Sequence, residues 1–328
     1  MRKWDTPDDL ALLHRVLTTL REQRVLEPGR LGLPDPLDLR GLSVPTVELC
    51  KQIGLATMIV SSVTGRQEFS DAALRRIDFS RARLDFSAWN NCCFEDVRFD
   101  NAKLQNVRFF GCRFVDCSFR STSLRDASFS VGRNGTETEI IRTVFEKADF
   151  KGASCHNPVL RSTSFLNCKL DGFVFDSALC DSVDIAGEYD ELTFRGMPGE
   201  PDRNRLRVDL SEASVTWLHA DYGVDLAAMT PPADSSCIVI TERLRAINVL
   251  NARLSQEAGD TGKEVARLLM AIYSDRSMSP MEPSQKTFAI THGQIRSFLE
   301  TDDEAVTKPV FEKIRSIADQ EGFLAIKK

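Results

Sequence analysis

Histidines, cysteines and paired carboxylates are the side chains that would do chemistry, and their spacing in this 328-residue chain argues against it. The four histidines, His14, His156, His219 and His292, stand in no metal-ligand or nucleophile spacing. The nine cysteines include no Cys-x-x-Cys, so the zinc and redox signatures are missing. The glycine pair Gly132 and Gly135 lacks the Lys-Ser/Thr that completes a phosphate loop. Scattered Asp and Glu offer no reason to choose any pair as acid and base. The sequence therefore assigns no catalytic residue, no metal ligand and no cofactor, and reads as a non-enzyme.

The cysteines instead obey a rule of position, which leads to the elements beneath. From Leu74 to Phe129 every fifth residue is Leu, Phe or Trp: Leu74, Phe79, Leu84, Trp89, Phe94, Phe99, Leu104, Phe109, Phe114, Phe119, Leu124 and Phe129. Two residues before each lies a smaller one, among them Ala72, Ala82, Ser87, Cys92, Val97, Ala102, Cys112, Cys117, Thr122 and Ala127. A period of five matches neither a helix nor a strand and marks a repeat. A second series runs Phe145, Phe150, Cys155, Leu160, Phe165, Leu170, Phe175, Cys180 and Ile185, with Cys168 at a small position. Cysteines on these positions are expected to be buried free thiols, acting as small hydrophobes. Trp89 is oversized for a centre and is expected to be a strained core residue. Between the two series, Val131–Ile141 is polar, carries two glycines and reads as an inserted surface loop.

Segments such as Ala148-Asp149-Phe150, Ala127-Ser128-Phe129 and Ala102-Lys103-Leu104 resemble the pentapeptide-repeat family, with a Leu or Phe centre and a small residue two before it. The resemblance covers residues 70–187, with fragments to about 215. It implies a mainly β fold: a right-handed, quadrilateral β-helix with four pentapeptides per coil. Coils about 4.8 Å apart would make the regular part a rod roughly 25 Å long.

Around this rod the chain divides into four expected parts: residues 1–65, an N-terminal helix and β-helix cap; 66–220, the β-helix with inserted loops at 131–141 and 196–204; 221–236, a linker; and 237–328, a helical domain. The N-terminal helix is read from Asp5-Thr6-Pro7 as a capped start, with Leu10, Leu13, Val16, Leu17 and Leu20 on one face. The apolar stretch Ile53–Val63 is expected to help start the β-helix. In the C-terminal region, helices are expected over 241–258, 264–274, 290–299 and 305–320, followed by a strand at 322–326. That order loosely resembles a winged helix-turn-helix, in which Lys308, Lys313 and Arg315 would face nucleic acid; a plain helical bundle reads equally well.

If the rod binds, the outward positions carry the information. Arg83 and Lys103 are twenty residues apart and should stack on one face. Phe86 and Phe110 are aromatics in outward register. Val115, Val144, Val159, Leu166, Val174 and Leu179 are also outward, so part of the rod is expected to be covered, by the chain's own terminal regions or by another protein. Acids after the centres, such as Asp85, Asp96, Asp100 and Asp116, read with the interleaved bases as a solubilising mosaic. Near the end of the second series, Asp171, Asp176, Asp181 and Asp184 form an acidic belt.

The functional expectation is a scaffold that docks a macromolecule, a protein first, through the rod surface and the helical C-terminal domain. One alternative is a DNA-binding protein using the winged helix. The other comes from resemblance to pentapeptide-repeat proteins of the quinolone-resistance type, which implies a DNA mimic directed at a topoisomerase such as DNA gyrase. Against mimicry, residues 66–195 carry 18 Lys and Arg against 20 Asp and Glu, a net of −2, whereas duplex DNA presents a charge every ~1.7 Å. The sequence has no secretory signal pattern and no 18-residue apolar run, which points to the cytoplasm and away from membranes. A homodimer is compatible with all of this.

Overall fold

The computed structural model describes residues 6–22, 24–42, 68–274 and 285–325. The Ile53–Val63 expectation falls outside them. The chain forms two compact units, Met1–Phe173 and Val174–Lys328.

The first unit winds short parallel strands into a four-sided helix. Register advances by twenty residues per coil: Phe69 pairs with Trp89, Trp89 with Phe109, and Phe109 with Phe129. Every centre points inward, where aromatic rings stack coil on coil. One such column runs Phe79, Phe99, Phe119, Phe145 and Phe165, with successive centroids 5.6, 4.8, 4.8 and 4.9 Å apart. No single coil could bury these rings; stacked coils share them.

The small inward position has its own chemistry. Thr122 Oγ1 donates to the carbonyl of Phe99 (2.7 Å), Thr163 Oγ1 to that of Ile140 (2.9 Å), and the thiols of Cys112 and Cys168 to those of Trp89 (3.2 Å) and Phe145 (3.3 Å). Each bond spans twenty-three residues, from a small side chain to a centre on the coil before. Trp89 fits by a similar device: its indole N–H donates to Ser87 Oγ (2.9 Å), Ser87 donates to Leu84 O (2.7 Å), and the ring stacks on Phe69 at 4.2 Å.

Corners explain much of the outward sequence. From residue 71 to 126 every fifth residue adopts a left-handed backbone, φ between 52° and 61°. Gly, Asn and Asp tolerate that conformation best, and they fill Asp71, Asn91, Asp96, Asn101, Asn106, Gly111, Asp116 and Asp126. Asp96 and Asp116 thus answer a backbone requirement, beyond the charge mosaic read from sequence.

The inserted loop is shorter than expected. Glu139–Ile141 is a strand, pairing Ile140 with Phe114 on one side and Leu160 on the other. Ile140 is a buried centre and Thr138 its buried small partner, so the second series begins one unit earlier and only about six residues are extra. Of the outward apolar residues in this unit, Val115 and Val159 are buried and Val144 and Leu166 half-buried.

Helix α1 (Pro7–Glu22) begins where Thr6 Oγ1 accepts the Asp9 N–H (3.2 Å) and buries Leu13, Val16, Leu17 and Leu20. A one-turn helix, α2 (Pro28–Leu31), follows. Val25–Leu26 and Leu37–Asp38 pair with Ala73–Leu74 and Ile77–Asp78, and Arg83 donates to the Leu42 carbonyl. The N-terminal segment thus covers the edge of the first regular coil, which would otherwise be left open.

The second unit contains less regular coils of its own. The long strand Leu179–Arg195 pairs with Val174–Asp176, Arg207–Asp209 and Ala213–Asp221. Within the expected 196–204 loop, Pro201–Asn204 forms the short helix α3, and Asn204 clamps the backbone N–H and C=O of Met197 (2.6 and 2.8 Å). Residues 224–230, expected within a linker, instead complete a coil: Val224, Leu226 and Met229 are buried, and Asp225 and Thr230 bridge to Arg205 and Asp209.

Four helices follow: α4 (Arg243–Glu257), α5 (Gly259–Tyr273), α6 (His292–Phe298) and α7 (Glu304–Gln320). They share an apolar core that includes Ile247, Leu250, Leu269, Ile295, Phe311 and Ile314. Two strands absent from the sequence reading, Cys237–Ile240 and Phe288–Thr291, pair antiparallel, and Leu324 bridges to Ile240.

Candidate interaction surfaces

Among the described residues no group of three or more His, Cys, Asp or Glu is placed to hold a metal. Burial pushes the thiols of Cys117, Cys168, Cys180 and Cys237 up to about 12, which makes poor nucleophiles. His292 is lowered by burial and meets Thr307 Oγ1 at 3.0 Å. Burial raises the Asp221 carboxyl, while His219 lies 3.8 Å from Glu191. The Thr307 hydroxyl that His292 meets is fully buried, out of reach of a substrate.

The interior being closed, the rod's chemistry is on its faces. Arg83 and Lys103 are bridged neighbours on adjacent coils, both exposed, and among the described residues neither is ion-paired. Asp85 lies nearby, with one oxygen taken by the Gln105 backbone N–H (2.8 Å). At the corner after Asp85, Phe86 is 57% exposed with φ 60°. A bulky side chain in the left-handed region costs roughly 1–2 kcal/mol, and exposure gives back little burial. The structure therefore brings Arg83, Lys103 and Phe86 to one face and corner. Phe110 is half-buried on the next face, between Asn90 and Ser130.

Bases interrupt the acidic belt at two of its four members, Asp176 and Asp181. Asp171 is exposed on the first unit. On the second, Asp181 pairs with Arg207 (2.9 Å), Asp176 lies in register with Arg195, and Asp184 lies beside Asp209. Register brings Arg195 and Arg207 in from residues beyond the acidic run, a pairing invisible in linear order.

The three candidate nucleic-acid contacts are also divided. Lys308 is exposed. Lys313 reaches Glu257 on α4 at 2.5 Å, and Glu257, which also holds Arg253, is drawn down to about 2, by the Arg253 hydrogen bond first and Lys313 second. Arg315 lies over the Phe311 ring at 5.2 Å, pairs with Glu312 at 3.3 Å and donates to the Ser235 carbonyl. The outer side of α7 offers Glu304, Glu312 and Asp319 beside Lys308.

Sequence reasoning missed a buried polar network in the second unit. Arg243, 1% exposed, donates to the carbonyls of Gln285 (2.9 Å) and Tyr273 (2.8 Å), and Tyr273 Oη donates to Ala289 O (2.9 Å). Gln285 donates to Ala220 O (2.8 Å) and accepts the Gly223 N–H (3.0 Å), which ties the helical module to the last coil. A cavity of about 460 Å³ lies between α7 and the Cys237–Val239 strand.

Residues 77–114 and 92–130 match the pentapeptide repeats, with eight copies. Comparison with curated proteins finds no match. Among solved structures, the chain is similar to QnrB1, a plasmid-mediated fluoroquinolone resistance protein, at 15% identity over 61% of this chain and 92% of that one, with a TM-score of 0.31. It is also similar to Rfr23, a pentapeptide repeat protein from the cyanobacterium Cyanothece, at 12% identity over 53% and 95%, TM-score 0.23. A third is HetL, a pentapeptide repeat protein involved in heterocyst differentiation regulation from the cyanobacterium Nostoc, at 13% identity over 60% and 83%, TM-score 0.18. No helix among the described residues is long and apolar enough to cross a membrane. Over residues 77–130, with the inward centres and small partners that the repeat requires, the chain is similar to the pentapeptide-repeat family.

Proposed function

We propose that the chain is a non-enzymatic scaffold whose rod docks a protein partner on the face carrying Arg83, Lys103 and Phe86. The observation that carries this reading is the corner itself: an exposed aromatic held in an unfavourable backbone conformation, next to two like charges at strand spacing with no acid between them. A partner carboxylate set across Arg83 and Lys103 relieves their repulsion, and an apolar cleft over Phe86 removes exposed ring from water.

The nucleic-acid reading has less support, since Lys313 and Arg315 already serve Glu257, Glu312 and Ser235. Mimicry of DNA directed at a topoisomerase has less as well, because Arg207 pairs with Asp181 and Arg195 sits beside Asp176.

The test is affinity capture from native lysate, nuclease-treated, with the full chain and the full-length triple variant Phe86→Ser/Arg83→Gln/Lys103→Gln. Loss of a specific captured protein with a melting temperature at or above the parent's supports the reading. An identical set captured by both proteins, or capture that disappears with nuclease, overturns it.

A further inference from the structure

A second feature lies on the neighbouring face of the first unit. The outward column there runs Glu68, Ala88, Arg108 and Ser128 in adjacent-coil register. Ala88 is the short member between two long ones, and above it a hollow of about 220 Å³ opens. Phe110 forms one wall; Val131 and Arg133, from the inserted segment, form another.

The segment that brings Arg133 there is fixed in place. Gly132 N–H donates to Thr136 O (2.7 Å), and Gly135 N–H donates back to Gly132 O (2.9 Å). A Cβ at Gly132 would stand 2.7 Å from Asn91 Oδ1 and 3.2 Å from Gly111 Cα, so the loop rests on the Asn91–Gly111 corner at a distance only glycine permits. Neither Arg108 nor Arg133 is ion-paired among the described residues, whereas Arg113, Arg120 and Arg142 on the adjoining faces pair with Glu139, Glu146 and Asp116. Two guanidinium groups thus border a hollow with an apolar floor, and Glu68 closes its far end on the preceding coil.

We propose that this hollow receives a carboxylate side chain from an acidic segment of a protein partner. The aliphatic stem lies over Ala88 and against Phe110, and the carboxylate reaches Arg108 and Arg133. Guanidinium forks suit carboxylates in two-point contact. The proposal rests on reading the rod as a docking surface, but it uses residues separate from the Phe86 corner.

The test is fluorescence anisotropy of a fluorescein-labelled hexaglutamate peptide against the full chain, at low and at physiological ionic strength. Arg108→Gln/Arg133→Gln should weaken binding about tenfold or more, the scale of losing charge-assisted hydrogen bonds. Ala88→Leu keeps both charges but fills the hollow, and should weaken binding to a similar degree. Arg83→Gln/Lys103→Gln should leave it within about threefold. Melting curves that match the parent chain establish that each variant folds. No peptide binding by the parent chain, unchanged binding by Ala88→Leu, or loss confined to Arg83→Gln/Lys103→Gln overturns the proposal. Competition by free glutarate at equal affinity overturns the protein segment in favour of a small dicarboxylate. The capture experiment on the Phe86 corner is read separately: its failure leaves the peptide result standing, and failure of the peptide leaves the capture result standing.

Discussion

Asp116 and Arg142 are twenty-six residues apart in sequence and joined by two hydrogen bonds, Nε to Oδ1 at 2.7 Å and Nη2 to Oδ2 at 2.8 Å. Their separation is one twenty-residue coil plus the six inserted residues, so the pair records where the insertion enters the register. Arg142 holds the Asp116 carboxyl below the usual carboxylate range. A depressed folded-state value means that the contribution to stability is present above the unfolded-state value and is lost as pH falls through the folded one. Both side chains are about half exposed, so the contribution is small. Carbon-detected NMR titration should find Asp116 among the most acidic aspartates of the rod, and Arg142→Gln should return it to the ordinary range with little change in melting temperature. An unchanged Asp116 titration in Arg142→Gln would show that the pair does not hold in solution.

Phe119 lies in the middle of an aromatic column, 4.8 Å from both Phe99 and Phe145, with no exposed surface. Coils above and below restrain one another, so the space left by truncation cannot close. Phe119→Ala should cost about 3–5 kcal/mol and Phe119→Leu distinctly less, measured by urea unfolding. A loss below about 1 kcal/mol for the alanine variant would mean that the coils slide to refill the column.

Phe86 should behave in the opposite way. Asn tolerates φ near 60° far better than Phe does, and it removes an exposed ring. Phe86→Asn should therefore stabilise the chain by about 1 kcal/mol while weakening partner capture. Thermal unfolding checks the first effect. A destabilised variant would show that the ring contributes more through packing than its backbone costs.

These cases show which parts of the molecule can be read from a string of residues. The centres are plain because a four-sided coil needs one large inward residue every five, and Leu74 to Phe129 supply it without a break. Ile140 escaped notice because it follows a loop that shifts the frame, and nothing local distinguishes Glu139–Ile141 from the polar stretch before it. Asp96 and Asp116 read as charge in the sequence, yet they share with Asn101, Gly111 and Asp126 a backbone requirement rather than a sign. Pairings such as Asp181 with Arg207 depend on register across coils, which an acidic run in sequence conceals. The strands Cys237–Ile240 and Phe288–Thr291 are four residues each and pair over fifty positions, too short and too distant for periodicity to reveal. Of the candidate surface residues, Arg83 and Lys103 could be paired in advance from their twenty-residue spacing. The Arg108–Arg133 hollow could not, since it depends on how Gly132 lies against Gly111.

Within the second unit, the attachment of the helical module to the last coil turns on one glycine. Thr291 caps α6, accepting the Gln294 N–H (3.1 Å) while Gln294 Oε1 accepts the Thr291 N–H (2.8 Å), and the Thr291 hydroxyl also donates to the Thr216 carbonyl. That contact brings the first turn of α6 so near the strand that a Cβ at Gly293 would stand 2.5 Å from Thr216 O and 2.8 Å from its Cα. Backbone atoms cannot swing aside as a flexible side chain would. Gly293→Ala must lift α6 away, stretch the Thr291–Thr216 bond and loosen the edge contact of Trp217 with Phe298, whose ring centroids are 5.9 Å apart. The expected cost is about 1–3 kcal/mol, that of an overpacked interior site, although helix propensity alone would favour alanine by roughly 1 kcal/mol. Hydrogen exchange should localise the loss, with faster exchange at residues 213–221 and 288–298 and none in the aromatic columns of the first unit. A Gly293→Ala chain that melts at or above the parent temperature would mean that propensity outweighs the clash, and that α6 is held less closely to Thr216 than this geometry requires.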